Sequence, residues 1–334
     1  MHDACALAAA CNGHAAILDA IISVDGDQIL DVEMCHKAAI AGHLQLVRRI
    51  CASGVVPSAF TLHYAVRAGN TAVVRYFVEE HDMRARWLLD GAIQSGSLET
   101  VRFLCESFGL GSPGDVYTAA CERRRKIVIY LLGRVTTIAA GFAAVDGLTV
   151  EKIIRHGWVD AVRLLCAPGQ HAANFVAASS VDLDRIRCLE CALDCGAALD
   201  PDLMVRAACR GRIAIINLLV RRGIAWTVDA MHAAARGGHV EALSRAKSAG
   251  IPFDVDACAL AAKHGHGETV RYICNQKCPV DARARSSAKV YGHHAIERYL
   301  TDRGCPWDED EYRWLVALLR ASRTFVTNDA HTLF

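Results

Sequence analysis

What this 334-residue chain lacks narrows it first. It lacks net charge: 37 Lys and Arg stand against 36 Asp and Glu, for a balance of +1. No global field therefore draws it to nucleic acid or to an acidic membrane. It lacks a long hydrophobic run, the nearest being Val135 to Val145 between Arg134 and Asp146. That is far short of the roughly 20 apolar residues that cross a bilayer, so a soluble protein is expected. No secretory signal opens the chain, and its 15 cysteines are an odd number without a disulfide framework. Reduced thiols in a cytoplasmic compartment, or the nucleus, are the expectation. Catalytic signatures are missing as well: no nucleophile elbow, phosphate loop, dinucleotide fingerprint or paired C-x-x-C half-site. No enzyme, no cofactor and no metal are expected.

What is there is a period. Gly42, Gly69 and Gly96 are 27 residues apart with Arg123 in the next place, and Gly211, Gly238, Gly265 and Gly292 keep the same step. A fixed period of this size marks stacked supersecondary units, none able to fold alone. Within one unit, Leu62, Ala65 and Val66 form one helical stripe, and Val74, Phe77 and Val78 another. Gly69 lies between them, where a left-handed C-cap suits glycine, and Thr71 is placed to start the second helix as its N-cap. Each unit is read as a helical hairpin.

Counting from the turn, with Gly13, Gly157 and Val181 completing the set, alanine stands four residues earlier in ten of eleven copies, Ile153 being the exception. Eight residues later every copy is apolar, from Ile21 and Ile50 through Leu189 to Leu300. The spacing stretches to 34 residues between Arg123 and Gly157 and shrinks to 24 at Val181. The stretch from 133 to 181 is thus irregular. Its extra residues, 133–147, are read as a longer loop or an extra helical turn, or as a hinge between two half-arrays.

Residue types that recur once per repeat are read as scaffold. Cys51, Cys105, Cys166 and Cys274 share one slot, and cysteine packs as a small hydrophobe. The exception is Cys188, Cys191 and Cys195 on one helical face, which with His171 offers a weak zinc pattern against a default of packed thiols. His14, His43, His239, His266 and His293 all follow the turn, where an imidazole can satisfy backbone groups at a helix end. Arginine occupies the sixth place after the turn in seven copies: Arg48, Arg75, Arg102, Arg163, Arg187, Arg271 and Arg298. With Arg123, Arg124, Arg125 and Lys126, this row is the candidate for nucleic acid or an acidic partner. Interspersed Glu79, Glu80 and Glu99 favour a solvated face.

Thr61-Leu62-His63-Tyr64-Ala65 resembles the ankyrin signature T-P-L-H-x-A without its proline, and the Gly-His pairs resemble the ankyrin inter-helix turn. Ankyrin units have about 33 residues, so this shorter unit lacks the length for a projecting β-hairpin finger. Gly304-Cys305-Pro306-Trp307-Asp308 is similar to the connector of short ankyrin-like repeats in giant DNA viruses. The resemblance implies an all-α solenoid of about eleven stacked ankyrin-like hairpins over residues 1–322. A C-terminal capping helix at 308–322 and a short tail at 323–334 complete it. It also implies a non-enzymatic protein–protein interaction scaffold, monomeric, whose partner is a protein, of a host if the source is viral. The rival readings are a substrate adaptor for a ubiquitin ligase, for which no box-type docking motif is found, and nucleic-acid binding through the arginine row.

In such arrays the first helices line the concave side. The residues one and two before the turn are therefore the expected partner surface: Arg67, Gln94, Glu122, Arg155, His156, Arg210, Arg236, Lys263 and His264.

Overall fold

The computed structural model describes residues 2–26, 29–83, 85–138, 145–167 and 172–329. These contain 23 α-helices and no β-strand. The chain forms two compact units, 1–172 and 173–334. The first unit holds six hairpins: α1 (His2–Asn12) with α2 (Ala15–Asp25), α3 (Val32–Ala41) with α4 (Leu44–Ala52), and α5 (Ala59–Ala68) with α6 (Thr71–Glu80). There follow α7 (Leu88–Ser95) with α8 (Leu98–Phe108), α9 (Pro113–Cys121) with α10 (Arg125–Ile138), and α11 (Gly147–His156) with α12 (Val159–Leu165). The second unit holds five: α13 (Ala173–Asp182) with α14 (Ile186–Asp194), α15 (Pro201–Cys209) with α16 (Ile213–Arg221), and α17 (Val228–Gly237) with α18 (Val240–Ser248). It continues with α19 (Val255–Lys263) and α20 (Gly267–Asn275), then α21 (Ala282–Val290) and α22 (His294–Asp302), and closes on α23 (Glu309–Asp329). Within each unit the first helices pack on first helices, as α3 does on α5 and α15 on α17.

A second periodic signal, eleven residues before the turn, starts the first helices. Asp31, Ser58, Asp146, Thr227 and Asp254 each accept the N–H three residues on, from Met34, Thr61, Thr149, Ala230 and Ala257. Such caps satisfy donors that a helix start leaves orphaned. Thr71 does not play this part for α6: Asn70 precedes the helix, and the buried Thr71 hydroxyl lies 2.8 Å from that of Thr100.

After six of the turns the following residue reaches back to the preceding hairpin. His43, His239, His266 and His293 place Nε2 at 3.3, 3.0, 2.9 and 3.1 Å from the carbonyls of Cys11, Cys209, Arg236 and Lys263. Asn70 donates to Ala39 and Ile40 in the same way, and Arg124 to Gln94. All seven carbonyls lie in the last turn of a first helix, where intrahelical donors run out. The imidazole lies directly over the preceding glycine: a Cβ at Gly211 would come within 2.4 Å of the His239 ring, and one at Gly238 within 2.5 Å of His266. The turn glycine is therefore selected twice, by its positive φ and by the ring above it.

One turn is placed differently from the expectation. The left-handed residue is Asp184 (φ 58), not Val181. Gly157, Asp184 and Gly211 then keep the 27-residue step. The alanine slot of that repeat belongs to buried Ser180, so alanine fills nine of eleven copies, and the apolar slot passes from Leu189 to Ala192. The excess between Arg123 and Gly157 is taken partly by α10, which runs to Ile138. Residues 139–144 lie outside the described residues, and the expected hinge falls on them.

At the end of the array α23 packs along α21 and, at 21 residues, is longer than the expected 308–322 cap. Glu297 of α22 stands five after its turn, where the ten earlier copies are Val, Leu or Ile. A polar residue there suits a terminal repeat. Arg123 holds φ 58, a left-handed conformation that costs a non-glycine residue about 1–2 kcal/mol. Arg123→Gly is expected to raise stability by about 0.5–1 kcal/mol. His239→Ala leaves the Cys209 carbonyl without its donor and is expected to lower it by about 1–2 kcal/mol. Urea denaturation followed by circular dichroism reads both.

Candidate interaction surfaces

Five of the expected partner residues lie in the first unit and four in the second. Arg67, Gln94, Glu122, Arg155, Arg210, Arg236 and His264 are exposed, while His156 and Lys263 are half-buried. Several already serve the scaffold. Arg210 meets Asp182 at 3.0 Å, the Lys263 ammonium sits 5.3 Å from the Tyr291 ring, and His156 stacks on Trp158 at 4.7 Å. The Gln94, Arg236 and Lys263 carbonyls accept the inter-repeat bonds.

The position two before the turn shares a helix face with those five, six and nine before it, because i, i+3, i+4 and i+7 align. On α5 that face reads Phe60, His63, Tyr64, Arg67. In the first unit it gathers aromatic side chains that the sequence reading did not single out. Phe60 is 69% exposed, Tyr64 42% and Trp87 43%. His36 and His63 join them, with ring centroids 5.7 Å from His36 to Tyr64, 6.0 Å from His63 to Tyr64 and 5.3 Å from His63 to Trp87. Glu33, Lys37, Arg67 and Asp90 lie on the same faces of α3, α5 and α7 and have no ion-pair partner among the described residues. The 27-residue register, applied to these slots, was the signal that would have found them.

The corresponding face of the second unit is occupied by its own charges. Arg206 spans Asp182 and Asp202 at 3.0 and 2.7 Å, and Arg283 spans Asp256 and Asp281 at 2.6 Å each. A cavity of about 350 Å³ there is lined by His232, Asp256, Leu260, Lys263, Arg283 and Trp314 among others. His232, Asp254 and Asp256 bring ligand-type atoms within 4.8 Å of one another. Asp254, however, caps α19, Arg283 holds Asp256, and His232 contacts Asp254 at 2.8 Å. His36 makes the same contact to the capping Ser58 at 3.1 Å. The cluster is thus a charged version of a repeat contact.

The arginine row also changes. Correcting the turn to Asp184 puts Glu190 in the slot, so Arg187 leaves the row and six members remain. Four of them lie over an aromatic ring of the next repeat: Arg48 on Tyr76 (5.2 Å), Arg75 on Phe103 (4.6 Å), Arg102 on Tyr130 (5.4 Å) and Arg271 on Tyr299 (5.8 Å). Such cation–π contacts contribute about 0.5–1 kcal/mol each at exposed sites. In the basic run, Arg124 is bonded to Gln94 and Arg125 pairs with Asp160.

Cys188 and Cys191 are buried and Cys195 half-buried. Burial, then the neighbouring Cys191, pushes the Cys188 thiol up to about 11, as for a packed thiol. His171 lies outside the described residues.

Residues 35–114, from α3 to the start of α9, match the family model of ankyrin repeats in three copies. Those copies carry the aromatic face. No curated protein matches the chain. Among solved structures, the human ASB11 ankyrin repeat domain is 17% identical, with a TM-score of 0.25, over 73% of this chain and 98% of that one. The pentatricopeptide repeat protein PPR10 in complex with an 18-nucleotide psaJ RNA element is 10% identical, with a TM-score of 0.41, over 93% of this chain. This chain spans about half, 55%, of that protein's length. No described helix is long and apolar enough to cross a membrane.

The histidine environments yield a pH dependence. Partial burial first, then Lys263 and Arg236, lowers the pKa of the largely exposed His264. Burial and Arg123 do the same for His156. A depressed folded-state histidine pKa means that the unfolded chain binds the proton first as pH falls. Stability is therefore full above the unfolded value of about 6.5 and declines from there through the lower folded values. His264→Gln is expected to flatten that decline, measured as Tm between pH 7.5 and 5.

Proposed function

We propose that this chain is a non-enzymatic scaffold that holds a partner polypeptide against the first-helix face of its N-terminal unit. The exposed cluster of Phe60, Tyr64 and Trp87, with His36 and His63 between them, carries the reading. Among the described residues, ten cation–ring contacts cover other aromatic side chains and none covers these three. Rigid aromatic side chains supply contact area at low entropic cost and dominate binding hot spots. Glu33, Lys37, Arg67 and Asp90, without ion-pair partners among the described residues, give the cluster a polar rim of both signs. The fitting partner is an extended or helical segment with apolar anchors and mixed flanking charge. The ankyrin match over residues 35–114 supports this use of the face. A host protein as the partner rests on the viral resemblance of the connector at Gly304 to Asp308.

The expected partner set shifts accordingly. Arg67 and Gln94 stay within it beside the aromatic cluster, whereas Arg210 is committed to Asp182. A displayed random-peptide library, selected on the whole chain, tests the reading. Selected peptides are expected to lose at least about tenfold in affinity to Phe60→Ala/Tyr64→Ala/Trp87→Ala, equal to about 1.4 kcal/mol. They should keep their affinity for Arg206→Ala. Because the three rings are exposed, the variant should retain its helical circular dichroism. Equal binding to both variants would discard the site.

A further inference from the structure

We propose that a cavity among the second helices of the C-terminal unit binds a small amphipathic organic anion, a carboxylate or sulfonate on an apolar body. In other repeats, an arginine six residues after one turn covers an aromatic ring seven residues after the next, as Arg75 covers Phe103 and Arg271 covers Tyr299. Between Arg163 and Arg271 both slots change. The sixth place holds Glu190, Asn217 and Ser244, and the seventh holds Cys191, Leu218 and Arg245. One contact between the slots survives with its chemistry exchanged: Arg245 stands in the ring's place and donates to Asn217, in the arginine's place, at 2.7 Å. The rings and guanidinium groups that cover this surface in other repeats are missing here.

Where that cover is missing lies a cavity of about 710 Å³, within the range of roughly 300–1,000 Å³ that ligand sites occupy. Ile186 of α14, Ile216 and Val220 of α16 and Trp226 of the connector that follows give it apolar walls. Ile216 and Trp226 are buried, whereas Val220 is 47% exposed and offers apolar area for a ligand to cover.

Two cations, Arg221 and Arg245, also line the cavity. Arg245 is already held, by Glu241 at 3.0 Å as well as by Asn217. Arg221 is exposed at the end of α16 and has no ion-pair partner among the described residues. One uncompensated cation beside apolar walls is complementary to one negative charge on an apolar body. A neutral ligand would leave that guanidinium unmatched, and a second negative charge would reach Arg245 only in competition with Glu241.

The test titrates the whole chain with anilinonaphthalene sulfonate, which fluoresces on leaving water, and with phenylnaphthylamine, the same ring system without the sulfonate. Arg221→Gln is expected to weaken the sulfonate about three- to fivefold, the reach of a partly exposed ion pair, and to leave the neutral probe unchanged. Ala214→Trp puts a bulky side chain into the cavity from an exposed position of α16 and should weaken both probes at least about tenfold. Both variants should keep the helical circular dichroism of the native chain. Added salt should weaken binding of the sulfonate alone. The Phe60→Ala/Tyr64→Ala/Trp87→Ala chain should show the same dependence on Arg221, which tells failure of the aromatic face from failure of this cavity. No binding of the sulfonate by the native chain, binding that ignores Ala214→Trp, or an equal response of the two probes to Arg221→Gln would overturn the proposal.

Discussion

The register of the array depends on one contact, the donor that follows six of its turns and reaches the last carbonyls of the preceding first helix. A helix of nine or ten residues gains little from its own hydrogen bonds and leaves four carbonyls orphaned at its C-terminus. Histidine, asparagine and arginine all fill this position, at His43, Asn70 and Arg124. The position therefore selects for an N–H donor of sufficient length, not for an imidazole as such. By seating that side chain over the turn, the contact also dictates glycine beneath it. Where no ring arrives, as at Gly157 and Gly292, the space above the glycine is open and only the positive φ calls for it. One interaction thus fixes the register between neighbouring hairpins and the most conspicuous periodicity of the chain.

Much of this was legible before any coordinates, for a physical reason. Turn glycines and close-packing alanines are residues for which backbone geometry leaves few substitutes, so they recur and can be counted. The one misplaced turn shows the converse. Asp184 occupies a left-handed conformation that aspartate tolerates better than most residues, and it removes the glycine by which the turn would have been recognised. Ala177, three residues ahead of the true slot, imitates the alanine signal. The same slip carried Arg187 into the arginine row in place of Glu190. Helix caps were equally regular but were overlooked, since aspartate, serine and threonine substitute for one another as acceptors and dilute the pattern.

The proposed partner face was only half legible, and the reason lies in the stripe structure of α5. Leu62, Ala65 and Val66 and the opposing Phe60, His63, Tyr64 and Arg67 are both spaced as helical faces. Composition alone makes either an acceptable interior. Only the burial of the first set, each at 2% or less, reveals that the second faces solvent. Residues two before the turn were chosen because they escape the packing slots. That reasoning reached the proposed face at Arg67 and Gln94 but missed the rings further along it.

The two units then use the same face in opposite ways. In the second, two arginines each span two carboxylates, Arg206 between Asp182 and Asp202 and Arg283 between Asp256 and Asp281, so these charges neutralise one another across adjacent helices. On the second helices of both units, arginines are laid on the aromatic rings of the next repeat, which shields the rings and occupies the cations. These surfaces have already satisfied the interactions that a partner would offer. Around Phe60, Tyr64 and Trp87 the first unit's face has, among the described residues, no cation over the rings and no ion pair on Glu33, Lys37, Arg67 or Asp90. A solvent-facing ring retains the apolar area it can bury, on the order of 25 cal/mol per Å² removed from water, and unpaired rim charges retain their capacity to orient a complementary segment. The case for recognition at Phe60, Tyr64 and Trp87 therefore rests on the contrast between this face and surfaces of the same repeat architecture that are internally satisfied.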